Sequence, residues 1–148
     1  MNKSKEKRKT KKRIGRLLLF FALLPLCMMA GCGTEKEEYT KTGDVDFTVV
    51  EEADVPKELM DVIKEKKSEP FKLTYLAEDA LYLVQGYGEQ PSGGYSIAVD
   101  DLYMAKEGVC IKTTLVGPAA DEKVTTAVTY PYIVVKLQRV ETEAHFLE

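Results

Sequence analysis

The sequence predicts an α+β, mainly β domain: an antiparallel β-sandwich or open barrel with one amphipathic helix, preceded by a signal-peptide helix and a flexible tether. Three observations predict it. Apolar residues near position 60 recur at helical spacing, and most apolar runs after residue 70 alternate as strands do. The longest uncharged run, by contrast, lies near the amino terminus, among residues of a different composition. A chain of 148 residues has room for one domain and little else.

The first sixteen residues, MNKSKEKRKTKKRIGR, are strongly basic, and Leu17–Ala30, LLLFFALLPLCMMA, carries no charge. Fourteen residues are too few for a stable transmembrane helix, which takes about 20. They match the apolar region of a signal peptide, with the basic run on the cytoplasmic side. Residues 1–31 are therefore read as a leader. It ends in Met29-Ala30-Gly31-Cys32, which resembles the bacterial lipobox, although Met29 stands where Leu is usual. The resemblance implies cleavage before Cys32 and acylation of its thiol, palmitate being a typical chain. The expected partner is then membrane lipid, and the expected location the extracytoplasmic face of the cell membrane. Cys27 is a poorer candidate because bulky Leu26 precedes it. Two acyl chains anchor stably where one is marginal, at ~0.8 kcal/mol per buried methylene. Residues 32–44 follow as a polar tether without apolar periodicity, and about twelve such residues span roughly 20 Å as a coil.

The body, residues 45–140, opens on a strand at Asp46–Glu52, with Phe47 and Val49 on one face. Asp54 has the chemistry of a helix N-cap, with Pro56 in the first turn. Val55, Leu59, Val62 and Ile63 then form one stripe of a helix over 55–67. Acidic Glu58 and Asp61 come early and Lys64, Lys66 and Lys67 late, as the helix dipole favours. Phe71–Ala77 alternates as a strand, and Ala80–Tyr87 is apolar on both faces and so central in its sheet. Further strand faces are Tyr95, Ile97 and Val99; Val109, Ile111 and Leu115; and Ile133, Val135 and Leu137. Residues 118–130 are expected to form a loop and then a short strand from Val124. Residues 141–148 read as a charged tail.

Charge excludes some functions. Nine of the 21 Lys and Arg but one of the 24 acids precede Cys32, so the remainder holds 12 basic and 23 acidic side chains, a net charge of about −11. Nucleic acid is excluded as a partner, because phosphate binding needs clustered positive charge. Catalytic constellations are also missing. His145, the only histidine, lies in the expected tail, away from Cys110 or any serine. Cys110 sits between Val109 and Ile111 and reads as a buried, inert thiol. Asp100 and Asp101 would point to opposite faces of a strand, most simply at a turn or an exposed strand end. No His, Cys or carboxylate cluster has metal spacing, and no cofactor is expected.

Gly86–Tyr95, GYGEQPSGGY, superficially offers the first two glycines of a nucleotide-binding loop. Pro91 stands where the third would be, and a strand rather than a helix follows, so no helix terminus faces a phosphate. The segment reads as a connection between strands, held by Gly88, Gly93 and Gly94. Loops fixed by a sheet often carry recognition. The candidate partner-binding residues are accordingly Gly88, Gln90, Pro91, Ser92, Gly93, Gly94 and Tyr95, with Pro131 and Tyr132 supporting them.

Gly86–Ile97, GYGEQPSGGYSI, followed by Tyr130–Leu137, YPYIVVKL, resembles the carboxyl-terminal domain of the PrcB family over residues 80–140, with Ser92 in place of the commoner Thr. That family is described as protease complex subunits, often lipoproteins. The resemblance implies a noncatalytic, protein-binding module, an accessory subunit of a surface protease or another envelope protein. The Pro91–Tyr95 loop is also similar to one loop of chagasin-like protease inhibitors, which have immunoglobulin-like folds. Their other inhibitory loops have no counterpart here.

Overall fold

The computed structural model describes residues 39–148. The leader, Cys32 and the first part of the tether lie outside the described residues. The elements are β1 (Lys41–Asp44), β2 (Phe47–Val49), a 3-10 turn (Glu52–Asp54), α1 (Lys57–Lys66), β3 (Pro70–Leu76), β4 (Ala80–Tyr87), β5 (Ser96–Ala105), β6 (Val109–Val116), β7 (Tyr132–Gln138) and β8 (Ala144–Leu147). They form a mixed α+β fold of two four-stranded sheets, ordered β1-β5-β6-β8 and β2-β7-β4-β3. Among the described residues each sheet has free edges, and neither closes into a barrel. All pairs are antiparallel except β6 with β8.

The alternation of β4 explains the layering. Leu81 and Leu83 face the other sheet, joining Ile133, Val135 and Leu137 of β7 and Leu102, Val109 and Ile111 of β5 and β6. Ala80, Tyr82 and Val84 point the opposite way and meet Val55, Leu59, Met60 and Ile63 of the helical segment. Strand β4 is thus buried on both faces and central, as its unbroken apolar run predicts. Fully burying a Leu or Ile side chain is worth about 1.5–3 kcal/mol, so both clusters matter to stability. Sheet β2-β7-β4-β3 forms the middle layer, with α1 on one side and the second sheet on the other.

The helix begins later than Asp54 implies. Glu52–Asp54 forms a 3-10 turn, and Pro56 itself is the N-cap, with no side-chain capping bond. Asp54 is therefore not the cap, because the Val55 amide already turns back to the Glu52 carbonyl. Met60 joins the buried stripe, while Val62 is half-buried at its margin.

Four other expectations are corrected. Strand β1 lies within the stretch read as tether. It pairs with β5 through an irregular register at Gly43, and Lys41 adds an ion pair to Asp44 at 2.6 Å and a cation over the Tyr103 ring. No strand starts at Val124; residues 117–131 run as a loop with one bridge, Gln90 to Thr129. The expected tail holds β8, which places Ala144 and Phe146 in the core between the sheets. Asp100 and Asp101 lie within β5, not at its end. The register shifts between Val99 and Asp101, and Asp100 accepts a 2.6 Å hydrogen bond from Thr114. Such a bulge lets two adjacent acids remain exposed in mid-strand.

Candidate functional site

Strands β4 and β6 end on the same side of the sandwich, and each hands the chain across to the other sheet. Their connections, residues 88–95 and 117–131, therefore meet. Gln90 and Thr129 exchange two backbone hydrogen bonds, at 2.8 and 3.0 Å. The Thr129 hydroxyl donates to the Ser92 carbonyl at 2.7 Å, and the Gly93 amide to the Thr125 carbonyl at 3.0 Å. A sheet-like staple thus joins two segments that would otherwise be free loops.

Glycine is required where these segments touch. Gly88 and Gly94 have φ of 72° and 82°, in the left-handed region that disfavours a Cβ. A Cβ on Gly94 would lie 2.5 Å from Val124 Cγ1 and 3.0 Å from Pro118 Cβ, and one on Gly93 would lie 2.6 Å from the Thr125 hydroxyl oxygen. Close backbone approach, as well as turn geometry, explains the glycine pair.

Most of the remaining polar side chains are engaged within the protein. Gln90 donates to the Tyr87 carbonyl at 3.1 Å, and Ser92 to the Gly93 carbonyl at 3.1 Å. Tyr95 is half-buried, its ring beside Gly117. The Pro131 carbonyl accepts from the Tyr87 amide at 3.0 Å, and the Tyr132 hydroxyl lies 3.9 Å from Met60 Sδ on the helix side. Pro131 thus adjoins the loop, whereas Tyr132 belongs to the helix–sheet interface. The residues left exposed around the staple include Glu89, Pro91 and Gly94 on one segment and Thr125, Thr126, Ala127 and Val128 on the other. Pro91 and Val128 each adjoin one member of the Gln90–Thr129 bridge, and Val128 is 48% exposed.

Thr125, Val128 and Thr129 have no prominence in the sequence. The only hint is a Thr-rich, β-branched stretch without alternation. Beside them, Tyr130 donates to Glu89 at 3.3 Å, and the Glu89 charge raises the phenol's pKa above its usual value. Lys67 lies over the same ring, 5.4 Å from its centroid.

On the other sheet, Cys110 and His145 are register partners on β6 and β8, side by side and not separated as a free tail would leave them. His145 is nonetheless occupied elsewhere, with its Nε2 3.3 Å from the Glu107 carbonyl and its ring stacked on Tyr39. Burial pushes the Cys110 thiol above its usual range, the reverse of an activated nucleophile. Among the described residues, no group of three or more His, Cys, Asp or Glu is placed to hold a metal ion. No helix among them is long and apolar enough to cross a membrane.

The stapled loop, its glycine pair and the following strand β7 define a segment comparable with known families. Residues 81–138 match the family model described as PrcB C-terminal. The match covers ~40% of the chain, from within β4 to the end of β7, and so includes both loops. It marks this part of the protein as a PrcB C-terminal-like domain. Comparison with curated proteins and with solved structures gives no match.

Proposed function

We propose that this protein is a lipid-anchored, extracytoplasmic binding module that acts as a noncatalytic accessory subunit of a surface protease complex. The observation that carries the reading is the PrcB C-terminal match over 81–138, which contains the doubly stapled loop pair. A loop ordered before it meets its partner loses little entropy on binding, and this suits it to recognition. Pro91 and Val128 would supply the apolar centre of the contact, and Glu89 and Tyr130 its polar rim. Cys32, Gly88, Gln90, Ser92, Gly93, Gly94, Tyr95 and Pro131 keep their proposed roles as anchor, contacts and supports of that loop.

Affinity capture from solubilised membranes of producing cells tests the proposal. The wild-type chain should recover a protease, and Val128→Asp, a change at an exposed position, should reduce that recovery by about tenfold or more. Recovery unaffected by Val128→Asp and by Pro91→Glu would refute the loop assignment. In parallel, Cys32→Ser should lose the acyl mass and leave the membrane fraction. Direct inhibition of a papain-like protease by the soluble domain would instead favour the inhibitor reading.

A further inference from the structure

The edge opposite β2 in the middle sheet is β3, seven residues long and paired on one side only. The Ala77 amide donates to the Ala80 carbonyl, and the Tyr87 amide to the carbonyl of Pro131, just before β7. Antiparallel alternation then directs the backbone groups of Phe71, Leu73 and Tyr75 toward β4 and those of Lys72, Thr74 and Leu76 outward. Three residues in succession along this edge therefore present N–H and C=O groups with no strand beyond them among the described residues.

The side chains of those three residues lie on the face directed toward the second sheet, whose own edge on this side is β8. Between the two edges is a cleft of about 430 Å³, whose lining includes Lys72, Gln85, Tyr87, Thr113, Leu147 and Glu148. Inside it, the Tyr87 and Thr113 hydroxyls satisfy each other at 2.7 Å. Gln85 Oε1, however, is buried without a hydrogen-bond partner. A buried acceptor left unpaired costs about 1–3 kcal/mol. Its register partner across the strands is Lys72, whose ammonium makes one long contact, 3.4 Å to the Phe146 carbonyl. The cleft thus places an unpaired acceptor beside a cation that can donate further.

We propose that β3 is a docking edge for an extended polypeptide segment carrying an Asn or Gln side chain, whose carboxamide enters this cleft. The amide N–H donates to Gln85 Oε1 and the amide oxygen accepts from Lys72, so partial charges of both signs are matched. The segment's backbone pairs with Lys72, Thr74 and Leu76, and the exposed Leu76, at 44%, covers the next apolar side chain along the strand. A carboxylate would meet Gln85 Oε1 with no proton to offer and would face the like charge of Glu148 in the same cleft. This surface is separate from the loop pair and does not depend on it.

The test uses a fluorescein-labelled peptide, acetyl-Thr-Val-Asn-Val-Thr-amide, and its counterpart with Leu in place of Asn, titrated with the protein by fluorescence anisotropy. The Asn peptide should bind saturably below about 1 mM, and the Leu peptide about tenfold more weakly. Thr74→Pro removes an outward N–H without breaking the β3–β4 ladder and should weaken binding of both peptides. Gln85→Met should abolish the preference for Asn while leaving the melting temperature unchanged or higher. Hydrogen exchange gives a readout without substitutions: the amides of Lys72, Thr74 and Leu76 should gain protection when peptide is added. Absence of binding, equal binding to Thr74→Pro, or unprotected edge amides at saturation would each overturn the proposal. Concentration-dependent dimerisation abolished by Thr74→Pro would overturn it in favour of a second copy of this chain.

Discussion

Gly94 shows how one residue can couple two loops. Its φ of 82° already disfavours any side chain, and the space a Cβ would take is held by Val124 and Pro118. Gly94→Ala should therefore cost about 1–3 kcal/mol, combining backbone strain with displacement of the facing loop. Gly43→Ala is the control, since a Cβ there meets nothing within 4 Å. Chemical denaturation would compare the two, and equal stability of both variants would mean that the loops are not held together at Gly94. The turn itself was legible in the sequence, because Pro91 and Gly93-Gly94 have unmistakable backbone preferences. The facing contacts were not, because Thr125 and Thr129 act through hydroxyl and carbonyl groups that sequence spacing does not reveal. Tyr95 shows the same limit. A tyrosine in a loop suggests an exposed contact, yet its ring is half-buried beside Gly117.

Among the elements, those with strong periodicity are legible in the sequence and those held by neighbours are not. Helix α1 and strands β3, β4 and β7 each bury a regular apolar face, and that regularity is written in the sequence. Strand β8 has four residues and little propensity of its own; it exists because β6 offers an edge and the core accepts Ala144 and Phe146. Strand β1 is similar, since Lys41-Thr42-Gly43-Asp44 gives no apolar signal and is held by β5, by the Tyr103 ring and by a 3.0 Å bond from Thr42 to the Met104 carbonyl. The dependence of β6 on β8 can be measured. Removing residues 141–148 takes away the strand beside Cys110, together with Leu147, which packs near it. In the intact protein Cys110 is fully buried and burial holds its thiol protonated, so it should resist a thiol reagent such as dithionitrobenzoate at pH 8. In the shortened chain it should react at least about tenfold faster, as local opening becomes easier. Unchanged protection would show that β8 merely rests on the sheet.

For the molecule as a whole, the middle sheet decides how the parts cooperate. Its central strands β4 and β7 contribute to both apolar clusters, Val84 and Val134 on the helix side and Leu83 and Val135 on the other. Neither cluster can be lost while the other persists, because the same two backbones position both. Helix α1 is also too short to persist once its apolar support is gone, since isolated helices shorter than about 12–15 residues are marginal in water. The described domain should therefore unfold in a single transition, seen alike by helical circular dichroism and by tyrosine fluorescence. Leu59→Ala in the helix cluster and Ile111→Ala between the sheets should each cost about 2–5 kcal/mol, and each should shift both signals together. An early loss of helical signal in Leu59→Ala, with tyrosine fluorescence unmoved, would mean that the helix is an appendage and that the two sheets fold without it.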